Sequence, residues 1–544
     1  MSRLADHLLL MPIVLPLMAG MLMLVMDGRS RTFKALINLA ATVGLLAVAL
    51  FLFRRLGPSP EVYLLGNWPA PFGIVLVLDR LSALMVVLTS VLAVAALVFS
   101  LVRWHRAGTH FHPLFQFLLM GLNGAFLTGD LFNLFVFFEV LLAASYGLVL
   151  YGSGLLRVKS GLHFIAVNLA NSLLFLTGAA LIYGVMGTLN MADLAVRIPV
   201  LAGQDRMLLE AGAAVLGVSF LLKAAMWPLC FWLPAAYSAA SPPAAAILAI
   251  TSKVGVYAVL RLWLLLFGEG TGDSAQFGGE WLLYGGLMTI VFGTAGLLAS
   301  QDTVRLVAFS VLVSSGTLLA AIGINDVAVT AAALFYLVNS TLAISAFFLL
   351  VELAERGREA GADMLAVTRE VFGDVEEGHE EEQEEVGIPV PATMGVLGLS
   401  FMLCALLIAG LPPLSGFLAK FALLSGLLGV DSPPSGGISL AGIPLGSWLL
   451  LALVILSGLA VMIAAMRAGI RTFWTPGERE VPRINIVEAA PVVGLLLLCV
   501  ALTVEAGPAM HYLERTARAL HAPQSYITAV LAKQPVRPAE EDGS

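Results

Sequence analysis

The feature that most restricts this chain is a recurrence of apolar stretches long enough to cross a bilayer. About 20 such residues make one helical span. Fourteen stretches of this kind occur, at 8–26, 35–53, 74–102, 113–129, 131–151, 162–186, 212–235, 242–266, 281–300, 304–324, 328–352, 393–429, 447–470 and 486–505. Lipid is therefore the solvent for most of the chain. Only 12% of the 544 residues are charged, about half the roughly 25% of a soluble domain. The expected fold is an all-α polytopic membrane protein. The first stretch exceeds a signal-peptide core and no small-residue cleavage site follows it, so it is expected to remain as an anchor. Cys230, Cys404 and Cys499 lie far apart within apolar stretches, a pattern that offers no disulfide or thiolate-metal framework.

Cytoplasmic loops retain Lys and Arg during insertion. Loops after odd-numbered spans hold Arg29, Arg31, Lys34, Arg103, Arg106, Arg157, Lys159 and Arg305, among others, whereas those after even-numbered spans hold only Arg54, Arg55, Arg197, Arg206 and Arg261. Both termini are thus expected on the non-cytoplasmic side of the membrane. One cytoplasmic loop differs from the rest: from Glu352 to Glu385 there are thirteen acids and three arginines. That is the pattern of a solvated, partly disordered segment.

A few ionisable residues remain inside apolar spans: Glu139, Lys223, Lys253 and Lys420. Each costs roughly 2.5–3.5 kcal/mol at mid-span on insertion scales, so the four together cost on the order of 10 kcal/mol. That rivals the net stability of a domain, about 5–15 kcal/mol, and packing alone gives no reason to tolerate it. Glu139 shares a helical face with Ala143 and Tyr146. Pro228 and Pro234 follow Lys223, and Pro412, Pro413 and Gly416 precede Lys420. Prolines remove helical hydrogen bonds, and the carbonyls so freed (Ala224 and Cys230 after Lys223) need water or a cavity. Two broken spans, each with a lysine near the break, fit two five-helix inverted repeats, spans 4–8 and 9–13, with spans 7 and 12 in matching positions. The implied organisation is residues 1–111 for spans 1–3, 112–270 for the first repeat, 271–351 and 391–475 for the two parts of the second, 352–390 for the acidic loop, and 476–544 for span 14 and a tail. Desolvation weakens a lysine's hold on its proton and a nearby carboxylate strengthens it, so moving one partner switches proton affinity.

These residues lie in GDLFNLFVFFEVLLAASYGL, LLKAAMWPLCFWLPAAYSAASPPAAAILAITSKVGVYAVLR and GLPPLSGFLAKF, with GTLNMADLA and QDTVRLVAFS between them. From about residue 70 to 475 the chain resembles the D-type chain of the Mrp-type multisubunit monovalent cation/proton antiporters, a group similar to the antiporter-like chains of respiratory NADH:quinone oxidoreductase. The resemblance implies a proton path in which Glu139 pairs with Lys223 while Lys253 and Lys420 extend a hydrated row. It also implies exchange of protons for a monovalent cation, sodium being the first expectation, carried out with other antiporter subunits. The alternative is a proton-pumping chain of the M or N type in a redox complex. Asn339 stands where relatives commonly have histidine and Ser314 where a polar relay residue is frequent. The link from Lys253 to Lys420 then falls to water held by Ser314, Tyr336, Asn339 and Ser340, with His163, Tyr146 and Tyr257 as further relay or water-holding candidates. His105, His110 and His112 read as interfacial, and Asp79 as pairing locally with Arg80. No nucleotide, flavin or metal motif occurs, so no cofactor, metal or nucleic-acid partner is expected.

Overall fold

A computed structural model of the chain describes residues 7–26, 30–152, 154–372, 392–429, 443–474 and 484–535, with the backbone alone over 357–372. Its helices are α1 (Met11–Val25), α2 (Arg31–Arg55), α3 (Arg80–Ser100), α4 (Phe111–Leu127), α5 (Leu131–Val149), α6 (Leu155–Met186), α7 (Met191–Arg197), α8 (Gly203–Lys223), α9 (Trp232–Ala239), α10 (Pro242–Leu266), α11 (Gly279–Ala299), α12 (Thr303–Ile324), α13 (Val327–Phe372), α14 (Ala392–Ala409), α15 (Ser415–Leu427), α16 (Leu445–Gly469), α17 (Ile486–Val504), α18 (Ala506–His521) and α19 (Gln524–Leu531). Among the described residues, eleven helices are long and apolar enough to cross a membrane. The protein is a polytopic helical membrane protein.

Burial orders these helices into a centre and a rim. The most apolar window of α10 is wholly buried, and those of α12 and α13 are 89% and 94% buried, whereas those of α2, α6 and α17 are each 33% buried. The inner helices carry Lys253, Ser314 and Asn339. A polar group there is shielded from acyl chains by a full layer of protein, which is how intramembrane polar groups are tolerated.

The structure corrects several expectations. The apolar run at 74–102 does not start as a helix: Val75–Leu78 is a short strand paired antiparallel with Glu61–Leu64, a small addition to an otherwise helical fold. Asp79 ends that strand and caps α3, accepting from the Ser82 amide at 2.9 Å. α13 continues past 352 to Phe372, so the first part of the acidic segment is helical, while Glu376 to Glu385 lie outside the described residues. The segment after span 14 forms α18 and α19. Tyr512 of α18 donates to the Arg80 carbonyl at 2.7 Å, and His521 meets Thr330 at 3.0 Å.

Asp79 does not pair locally. Its carboxylate takes both guanidinium nitrogens of Arg261, at the far end of α10, with one contact at 2.7 Å. Tyr257 and Tyr526 flank the same guanidinium, 5.5 and 5.2 Å from their ring centres. Burial alone would raise the Asp79 carboxyl, but the Arg261 charge and hydrogen bonds from Arg261 and Ser82 hold it below the ordinary carboxylate value. The pair is therefore charged at neutral pH, and its contribution disappears only as pH falls through that lowered value. Arg261→Ala strands a buried carboxylate and is expected to cost about 3–5 kcal/mol. Yield and thermal stability in detergent are expected to fall for Arg261→Ala and also for Asp79→Asn, which leaves the buried guanidinium without its carboxylate, and to fall less for the double variant, which buries no unpaired charge.

Candidate functional site

Two helices stop inside the apolar body, each beside a lysine. α8 ends on Lys223 and α9 starts at Trp232. The intervening chain turns through Ala225 at φ 58° and is pinned from outside, with the Trp227 amide donating to Thr289 Oγ1 of α11 at 2.8 Å and the Trp232 indole to the Leu222 carbonyl at 3.3 Å. α14 ends at Ala409, Gly410 takes φ 77°, and α15 starts at Ser415. Pro228, Pro412 and Pro413 lie in these breaks.

Pro234 and Gly416 do not. Pro234 is the third residue of α9, where a missing N–H costs no helical bond, and the Cys230 carbonyl accepts from Leu233 at 3.1 Å. Gly416 is the second residue of α15, packed so closely on the Leu407 carbonyl that a Cβ has no room.

The three lysines are buried: Lys223 is 2% exposed, Lys253 1% and Lys420 8%. Glu139 is only half-buried. Its carboxylate accepts a hydrogen bond from Ser172 of α6. Glu139 is the charge that acts on Lys223, yet the two do not form a contact ion pair, and Lys223 has no hydrogen bond among the described residues. On α10, Gly255 lets the end of α8 come close: a Cβ there would lie 2.5 Å from the Ala224 nitrogen. This brings the Lys223 backbone beside the helix that carries Lys253.

From Lys253 the polar atoms run on in sequence. Its Nζ donates to Ser314 Oγ at 2.8 Å and to Ser315 Oγ at 3.4 Å, and Ser314 Oγ meets Ser340 Oγ at 2.9 Å. A cavity of about 10 Å³ follows, lined in part by Ser314, Tyr336, Asn339, Ser340, Ser457 and Lys420, which is close to the space one water needs. Lys420 Nζ donates to the carbonyl of Ala409, the buried last residue of α14, at 2.9 Å, and Ser415 Oγ donates to Asn339 Oδ1 at 2.7 Å.

The remaining candidates are placed apart. Tyr257 donates to the Phe126 carbonyl at 2.7 Å and belongs with Arg261 and Asp79, not with the lysine row. His163 is exposed, with its ring 5.5 Å from that of Phe231 in the first break. Tyr146 lies on the Glu139 side, edge-on to Phe164. Of the three histidines read as interfacial, His105 and His112 are buried, and His112 meets Asn38 at 2.8 Å. No cluster of potential metal ligands occurs among the described residues.

Sequence reading missed Ser172, Asn168 and Asn171 of α6, Thr289, Ser315, Ser415 and Ser457. A signal existed for the first three: polar residues at i, i+3 and i+4 within an apolar span share one face.

Residues 128–443 match the family described as NADH:quinone oxidoreductase/Mrp antiporter, transmembrane. The chain is 58% identical over 97% of its length, and 98% of the relative's, to the D-type chain of a probable K⁺/H⁺ antiporter of Rhizobium meliloti (strain 1021). It is 32% identical over 97% of its length, and 99% of the relative's, to the D-type chain of a Na⁺/H⁺ antiporter of Alkalihalophilus pseudofirmus. A chain in the solved structure of the Mrp complex from Dietzia sp. DQ12-45-1b superposes with a TM-score of 0.80 at 25% identity, covering 97% of this chain and 99% of that one. By the extent of the sequence match and the shared architecture, the chain belongs to the NADH:quinone oxidoreductase/Mrp antiporter membrane family.

Proposed function

We propose that the chain is the proton-translocating subunit of a multisubunit monovalent cation/proton antiporter in a bacterial plasma membrane. The observation that carries the reading is the unbroken line of exchangeable groups from Lys253 through Ser314 and Ser340 to the water-sized cavity at Lys420. Hydroxyls both donate and accept, so such a line passes a proton by shifting each hydrogen one partner along. Glu139 and Lys223 form the switch at one end: when Glu139 is charged it stabilises the Lys223 ammonium, and when it is neutral that support is gone. The remaining antiporter subunits are the partners, and the transported species are protons and monovalent cations.

Fourteen spans, with α8 and α9 as span 7 and α14 and α15 as span 12, fit two inverted five-helix repeats. Each repeat then places one broken span, with a lysine beside the break, at mid-membrane, and Lys253 of the unbroken span 8 lies between the two. The bias of Lys and Arg puts both termini on the non-cytoplasmic face. The two antiporter relatives support antiport over membership of a redox complex. They divide on the cation: the 58% identical relative is named for potassium and the 32% identical one for sodium. Potassium is the first cation to test, in place of the sodium expected from sequence.

The test is cation-dependent proton movement in everted vesicles containing the whole complex, with K⁺ and Na⁺ added separately. Glu139→Ala, Lys223→Ala and Lys420→Ala are expected to lose transport while the complex still assembles; normal transport in all three would overturn the reading. Ser314→Ala removes one hydrogen bond to a charged group, about 1.5–3 kcal/mol. It is expected to slow transport on the order of 10- to 100-fold.

A further inference from the structure

The α6 helix presents two buried amide oxygens that no group among the described residues satisfies. Asn168 and Asn171 are 0% and 2% exposed, and the Oδ1 atom of each has no partner among the described residues. Asn168 uses its Nδ2 on the Phe164 carbonyl at 2.8 Å. Leaving a buried acceptor unmet costs about 1–3 kcal/mol, so two on consecutive turns of one helix mark a place that takes a donor.

The packing of α6 against its neighbours shows which donor. α6 and α8 run antiparallel in close contact: a Cβ on Gly178 would lie 2.6 Å from the Leu216 nitrogen, and one on Gly212 3.2 Å from the Ile182 nitrogen. Phe175 and Phe220 follow in the same register, with ring centres 5.3 Å apart. Carried one turn further, that register sets Asn171 opposite Lys223, and Ser219, one turn before Lys223, donates to the Asn171 carbonyl at 3.4 Å. On its other side α6 holds Glu139 through Ser172, whose hydroxyl oxygen also lies 3.1 Å from the Asn168 carbonyl. The same two turns of α6 thus grip the carboxylate and face the lysine.

We infer that Asn168 and Asn171 are a docking position for the Lys223 ammonium, the place it occupies when it is protonated and not held by Glu139. The inference rests on the proposed role of Lys223 and deepens it. An amide oxygen accepts from an ammonium but never ionises, so the dock holds the charged lysine without itself taking the proton. The lysine then has two seats, an ionic one governed by Glu139 and a neutral one on α6. Asn168 and Asn171 are positioning residues for the proton step. The titratable groups on the helices packed against α8 are Arg157, Lys159, His163 and Tyr183 on α6 and Lys253, Tyr257 and Arg261 on α10, with Glu139 on α5 tied to α6 through Ser172. Among these the Glu139 charge is the one that acts on Lys223.

The experiment is the pH profile of cation-driven proton movement in everted vesicles carrying the whole complex, with assembly checked by co-purification. Asn171→Leu removes an acceptor from the charged lysine, so loading requires more acid, and the profile is expected to move about one pH unit downward, the worth of one hydrogen bond to a charged group. Asn171→Asp adds a charge that favours the ammonium and is expected to move it upward. Asn168→Leu and Asn168→Asp make the same comparison one turn away if the Asn171 variants do not assemble. A purely structural asparagine would alter the yield or rate of both variants without shifting their profiles in opposite senses. Unshifted profiles, or shifts of the same sign, overturn the dock. Lys223→Ala, run alongside, separates the two levels: if it retains transport the proposed role of Lys223 fails, and if it is inactive while the asparagine variants stay unshifted only the dock fails.

Discussion

A helix that stops inside a bilayer leaves its last carbonyls with no water to turn to, and the polar architecture of this protein follows from two such stops. α8 ends on Lys223 and α14 ends at Ala409. Each terminus carries roughly half a negative charge from the aligned peptide dipoles. A buried ammonium and an interrupted helix are each costly alone, and here they offset one another. At Ala409 the relief is a direct hydrogen bond from Lys420, and at α8 the lysine is itself the last helical residue. Lys253 sits in the unbroken α10, where no carbonyl is free to receive it, and it is held by the hydroxyls of Ser314 and Ser315 instead.

The row is enclosed unevenly. Lys223, Lys253 and Lys420 are surrounded by protein, whereas Glu139 is half-buried on a face of α5 that also exposes Phe132 and Val136. An ionisable group so close to the outer surface responds to whatever covers that surface. Among the enclosed lysines it is Lys223 on which this charge acts, and the low dielectric between them preserves an interaction that water would screen. In the proposed function, a carboxylate at the rim and lysines within form an arrangement in which an external event alters the proton affinity of an internal site.

Much of this was legible in the sequence because charge inside an apolar span is so improbable. Glu139, Lys223, Lys253 and Lys420 announced themselves by cost alone, and Pro228, Pro412 and Pro413 located the breaks. Neutral polar residues gave no comparable signal: Ser172, Asn168 and Asn171 cost little on a hydropathy scale, and their importance lies in what stands opposite them across a helix interface. Pro234 and Gly416 were misread because a residue's effect depends on its position within a turn. The same proline that breaks a helix interior is neutral in its first turn. Asp79 and Arg261 could not be matched, since 182 positions separate them and an adjacent Arg80 offered an easier partner. The four-residue strand Val75–Leu78 disappeared into an apolar run because periodicity cannot separate a short buried strand from the start of a helix.

The segment between Lys253 and Lys420 is where sequence expectation was weakest and geometry is most informative. Asn339 cannot titrate, but it need not. Ser415, the first residue of α15, donates to its amide oxygen, so the wall of the cavity is tied to the break in the same span. In the proposed relay the hydroxyls of Ser314 and Ser340 would supply the exchangeable protons, and a space of about 10 Å³ leaves room for one water. A wider cavity would solvate the lysines and bring their proton affinities toward those in bulk water, erasing the difference on which switching depends. A narrower one would break the line of hydrogen bonds. In the proposed relay the hydrogen bond from Ser415 to Asn339 links the helix break, which also seats Lys420, to the wall of the gap between the two lysines.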